Sequence, residues 1–78
     1  MLTRYIQAAM KRSTFKLLGN GKVFGEIPGF PGVWSEEKSL DLCREVLQDV
    51  LEEWILLKLR DGDRLPRIAG ISLNRRAA

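Results

Sequence analysis

Apolar residues recur at Leu2, Tyr5, Ile6, Ala9 and Met10. That spacing of i, i+3, i+4, i+7 and i+8 marks one face of an amphipathic helix over residues 2–12. A helix so short is marginal in water, so it must dock on the rest of the chain. A basic membrane-surface helix is the alternative, and the apolar face is too small to favour it. The pattern then changes. Residues 14–18 (TFKLL) and 22–27 (KVFGEI) are short, apolar and aromatic, with Gly19-Asn20-Gly21 between them. Asn-Gly supplies the positive φ angles of a type I′ turn, which predicts a β-hairpin. Gly19, Gly21 and Gly25 also make a GxG fragment. A phosphate-binding loop of that kind opens a helix, whereas here a strand follows.

The segment Pro28-Gly29-Phe30-Pro31-Gly32 is rich in turn residues, and its two prolines forbid continuous sheet pairing. Val33-Trp34-Ser35 reads as a third short strand. Ser39 is placed to cap a helix, its hydroxyl accepting from a free N–H, and Asp41 suits the positive end of the helix dipole. Leu40, Cys43, Leu47, Val50, Trp54 and Leu57 then follow in steps of three and four, widened by Val46, Leu51 and Ile55. Arg44, Gln48, Asp49, Glu52 and Glu53 form the opposite face. A helix over 40–60 is about 32 Å long. Lys58 and Arg60 suit its negative end, and Gly62 is a natural residue just past it. Asp61 and Asp63 flank that glycine without the further oxygen ligands a calcium loop needs.

Leu65-Pro66 breaks the chain again, and residues 67–73 alternate as a last strand; 74–78 read as a frayed tail. The predicted order is α-β-β-β-α-β. This is a single α+β domain over 1–78, with a small antiparallel-rich sheet and one long helix packed across it. One sheet face is then left for the first helix or for another subunit.

Composition narrows the chemistry. Seventy-eight residues suit one domain with a thin core. The 45% apolar and 29% charged fractions are those of a folded chain. There is one cysteine, Cys43, and no histidine. No internal disulfide can form, so a reducing, cytoplasmic setting is expected. The usual general base and commonest zinc ligand are missing. No apolar run approaches the ~18 residues of a membrane span. Net charge is +3, with Arg4, Lys11 and Arg12 near one end and Arg64, Arg67, Arg75 and Arg76 near the other. These read first as solvated termini and second as a phosphate-binding patch, so nucleic acid is not the leading partner.

The run from Gly25 to Trp34 (GEIPGFPGVW) resembles the strand–turn signature of the HicB-like antitoxin family. That signature has an acidic–aliphatic–Pro step, a short linker, then Pro-Gly and an apolar residue. Ser39, Asp41 and Cys43 match the family's cap, acidic and small positions, and Leu65-Pro66 resembles its turn before the last strand. The resemblance covers residues 13–73. Leu42 stands where Glu is common and Val46 where Asn is common, so those side chains are not carried over. The N-terminal helix is an addition to the shortest family form. No ribbon-helix-helix or helix-turn-helix module follows the last strand, so operator binding is not expected.

The resemblance implies a partial, degraded ribonuclease-H-like fold. It implies a partner too: a HicA-type toxin, a small ribonuclease that the antitoxin neutralises by occlusion. Catalysis is not expected. A ribonuclease H holds two metal ions with clustered carboxylates, one of them on the first strand. Residues 14–18 carry none, while Glu26, Asp41 and Glu45 are scattered. Cys43 lacks a histidine base and sits on the apolar stripe as a small core residue. Neither metal nor cofactor is called for. The expected partner-binding residues are Phe30, Trp34, Glu36 and Glu37, in a turn that joins fixed backbone, aromatics and two acids. Self-association as a dimer or tetramer is expected from the thin core and the open sheet. A stand-alone oligomeric nucleic-acid binder is the second reading, and a weak nuclease the third.

Overall fold

Helical periodicity produces the two helices it predicts, and among the described residues three of the four expected strands form. The computed structural model describes residues 2–68, 70 and 71. In chain order the elements are α1 (Leu2–Lys11), β1 (Thr14–Leu17), β2 (Val23–Glu26), β3 (Trp34–Glu37) and α2 (Leu40–Asp61). The three strands form one antiparallel sheet in the order β1-β2-β3, with Phe15 opposite Gly25 and Gly25 opposite Ser35. The fold is α+β, with α2 lying across β2 and β3 and α1 packed beside α2.

The first hairpin forms, but its turn is not type I′. Leu18 N–H donates to the Lys22 carbonyl at 2.8 Å, and Gly21 N–H to the Leu18 carbonyl at 3.0 Å. Three residues therefore form the loop, and Gly21 alone takes a positive φ, 85°, among its glycines. This is a type I turn closed by a glycine bulge. Asn20 caps it from within, its Oδ1 accepting from Lys22 N–H at 2.9 Å. A two-residue turn would pair Gly19 with Lys22 and shift the register by one, turning every β1 side chain to the other face.

Helix α2 starts and stops where its caps lie. Ser39 Oγ accepts from Leu42 N–H at 3.1 Å. At the other end Gly62 N–H donates to Leu59 and Asp63 N–H to Lys58, the paired bonds of a Schellman ending. Its buried stripe differs from the one expected. Cys43, Leu47, Leu51 and Ile55 are fully buried, whereas Leu40 and Leu57 are exposed. Steps of four drift around a helix that turns by 3.6 residues, so the buried line winds along α2. It follows two different floors. Cys43 meets the sheet at Val23 and Ser35. Further along, Trp54 packs on Phe30 at 5.3 Å between ring centroids. Trp54 thus covers the turn rather than the sheet.

Tyr5, Ala9 and Met10 of α1 join Leu47, Leu51, Ile55, Leu65 and Ile68 in the core. The Tyr5 hydroxyl donates to the Pro66 carbonyl, which ties residues 65–68 beside α1. The expected last strand, 67–73, lies partly outside the described residues. Within them, Ile68 and Ile71 exchange two backbone bonds, 3.1 and 2.7 Å, across a tight reversal. Among the described residues the sheet has three strands.

Candidate partner-binding face

The two Pro-Gly pairs build the backbone of the site. Phe30 N–H donates to the Ile27 carbonyl and Val33 N–H to the Phe30 carbonyl, both at 3.1 Å. These are two successive β-turns with proline second and glycine third. Gly29 and Gly32 have φ of 88° and 86°, the third-position geometry of type II turns, which side-chain-bearing residues resist. Every third side chain points inward: Ile27, Phe30 and Val33 are all buried. The double turn is therefore pinned at both ends and at its middle.

The turn delivers β3 with Trp34 directed away from the core. Gly25 and Ser35 face α2, since Ser35 Oγ donates to the Cys43 carbonyl at 2.8 Å. Alternation then puts Thr14, Lys16, Phe24, Glu26, Trp34 and Glu36 on the other face. Neither helix packs on that face. Trp34 is 55% exposed. It stacks on Phe24 from the diagonal position, with ring centroids 6.0 Å apart and planes 22° apart. Lys16 Nζ sits 6.0 Å from the Phe24 ring centre, and Lys22 Nζ lies 3.9 Å from Glu36 Oε2. A shallow depression of ≈ 360 Å³ runs from Phe24 and Trp34 to the double turn.

The four expected contact residues therefore separate. Trp34 and Glu36 share the open face. Glu37 is half-buried and falls on the α2 side. Phe30 is a correction: it is 3% exposed, edge-on to Tyr5 at 6.2 Å and against Trp54, and it fixes the turn from inside. An aromatic between two Pro-Gly pairs can bury without breaking either turn, because both pairs remain in solvent. The chain reading missed Phe24 and Lys16. Strand alternation could have found them had the register between β2 and β3 been known.

Other candidate chemistry is dispersed. Glu26 lies on the open face and Asp41 and Glu45 on exposed α2, with the sheet between them. Among the described residues no three His, Cys, Asp or Glu side chains converge to hold a metal ion. Cys43 is fully buried, its Sγ within 3.3 Å of the Val23 carbonyl and 3.1 Å of Ser35 Oγ. Among the same residues no helix is long and apolar enough to cross a membrane.

A family model described as UPF0150-like matches residues 4–66, so the matched span includes most of α1. The crystal structure of TTHA0281 from Thermus thermophilus is similar throughout. Its TM-score is 0.89 at 38% sequence identity, covering 96% of this chain and 94% of that one. No curated protein matches the chain.

Proposed function

The chain belongs to the UPF0150-like family, and from that premise we propose that it is a non-catalytic, antitoxin-like domain that captures a partner protein on its open sheet face. The resemblance of its Gly25–Trp34 run to HicB-like antitoxins supports a HicA-type ribonuclease toxin as that partner, neutralised by occlusion. The observation that carries the reading is the Phe24–Trp34 stack, exposed on a sheet face that neither helix covers. An aromatic centre with a rim of both charges (Lys16, Lys22, Glu26 and Glu36) has the composition of a protein interface. The double turn holds Trp34 in place beforehand, so little ordering opposes binding.

The test is co-expression with the neighbouring open reading frames, followed by pull-down and titration of the captured protein. Trp34→Ala should weaken capture by about 1–3 kcal/mol, roughly 5- to 150-fold in Kd. Unchanged capture by a folded Trp34→Ala variant would move the interface elsewhere. The purified protein is expected to show no magnesium- or manganese-dependent nuclease activity. Turnover that follows the protein through two orthogonal columns and is lost in Glu26→Gln or Glu45→Gln would overturn that expectation.

The same reading includes self-association. Among the described residues β1 is an edge of the sheet, and its Leu17 is 75% exposed. Such an edge offers unpaired backbone groups to a second copy. Light scattering at micromolar concentration should report a dimer or tetramer, and Leu17→Lys should shift it toward monomer. A strict monomer at high concentration refutes the association.

A further inference from the structure

Charge is segregated along this chain. The first 25 residues hold five Lys or Arg and no Asp or Glu, while all ten acids lie between residues 26 and 63. Folding then brings the basic N-terminal segment against a basic residue from the far end. Arg4, Lys11 and Arg12 of the α1 region and Arg67 line one groove of ≈ 690 Å³, with Gln7, Ala8 and Ile68 completing it. No acid lines it. All four cations are exposed, and the ion pairs found among the described residues involve Lys22, Lys58 and Arg60 instead.

The groove is held by its surroundings. Tyr5 ties Pro66 beside α1, and Ile68 is buried next to Arg67. Arg4 and Lys11 are seven residues apart, on one helix face and about 10 Å apart along the axis. Gln7 and Ala8 lie between them, so the middle of the groove adds no charge of its own.

We propose that this groove binds the phosphate backbone of a nucleic acid, without base specificity, on a surface separate from the open sheet face. Three of the four cations are arginines, whose guanidinium forks match phosphate oxygens in pairs. Two helical turns between Arg4 and Lys11 span about three nucleotide steps at ~3.4 Å per step along a duplex strand. An anionic membrane is the poorer fit. A membrane-surface helix needs an outward apolar stripe. Here Tyr5, Ala9 and Met10 are buried in the core.

The experiment is anisotropy titration of the full chain with labelled duplex DNA and single-stranded RNA of unrelated sequences, between about 50 and 200 mM salt. Four phosphate contacts give a slope of log K against log salt of about −3.6 for duplex and about −2.8 for single strands. Duplex affinity should thus fall roughly 150-fold over that range. Arg12→Gln/Arg67→Gln and Arg4→Gln/Lys11→Gln should each flatten the duplex slope by about 1.8. Lys22→Gln/Arg60→Gln removes the same charge elsewhere and should leave the slope unchanged, as should Arg75→Gln/Arg76→Gln. Circular dichroism checks that each variant stays folded. Four outcomes would overturn the proposal. These are no salt-dependent binding of either probe, an equal loss in the Lys22/Arg60 control, a loss confined to the Arg75/Arg76 variant, or capture of phosphatidylserine vesicles without nucleic acid.

Discussion

Gly25 sits where the sheet, Phe15 and α2 meet, and Gly25→Ala should destabilise the fold. A Cβ there would lie 2.7 and 2.8 Å from Phe15 ring carbons and 3.1 Å from Cys43 Sγ. Carbon atoms pack best at ~3.5–4.0 Å, so the Phe15 ring must retreat by roughly 0.7–1 Å. Phe15 is half-buried and can yield. Cys43 is fully buried and held by Val23 and Ser35, so α2 resists even a few tenths of an ångström. Overpacking of this kind costs about 1–3 kcal/mol. Alanine restricts the unfolded chain more than glycine does, which offsets about 0.4–1 kcal/mol. The expected net loss is about 1–2 kcal/mol, a fall in Tm of roughly 5–15 °C for a domain of this size. Urea and thermal denaturation followed by circular dichroism measure it. In a Phe15→Ala background the same substitution should cost less, since the main obstacle is gone. A neutral or stabilising Gly25→Ala, or an equal cost in both backgrounds, would refute the close-approach argument. Phe24 and Glu26 flank Gly25 on the open face, so a displaced β2 should also weaken partner capture.

Phe30→Ala should cost about 3–5 kcal/mol of stability, because its ring lies in the core, whereas Trp34→Ala should cost stability little and capture more; chemical denaturation beside the titration separates the two. Burial raises the Tyr5 hydroxyl pKa above its ordinary 10.0. The folded state therefore holds that proton more tightly than the unfolded chain. The associated stability is fully present below about pH 10 and is lost as pH rises through the raised value. Tyr5→Phe should cost about 0.5–1.5 kcal/mol near neutral pH through the lost bond to Pro66, and the gap should narrow in denaturation at about pH 11. Ser39→Ala should remove the α2 cap and lower stability by about 1 kcal/mol, read from the urea midpoint at unchanged m-value.

Local signals are strong enough to be legible in the chain. Ser39 and Gly62 bound α2 because caps act within one helical turn. The helical spacing of Leu2, Tyr5, Ala9 and Met10 marks α1 for the same reason, and each Pro-Gly pair dictates its own turn. What the sequence could not determine depends on partners distant along the chain. The turn at Gly19–Gly21 has two possible lengths, and the one that fits sets which β1 side chains face α2. Phe30 and Trp34 are both aromatic, four residues apart beside the same glycines and prolines. One is buried because Tyr5 and Trp54 close over it, and the other is exposed because neither helix packs on the far side of the sheet. The α2 stripe shifts from Leu40 and Leu57 to Leu51 and Ile55 because its floor changes from sheet to turn midway. Arg4, Lys11, Arg12 and Arg67 look like two solvated ends in the sequence. They become one groove only because Tyr5 and Ile68 draw residues 65–68 against α1. Burial and charge clustering are sums over neighbours in space, and only the tertiary structure supplies those neighbours.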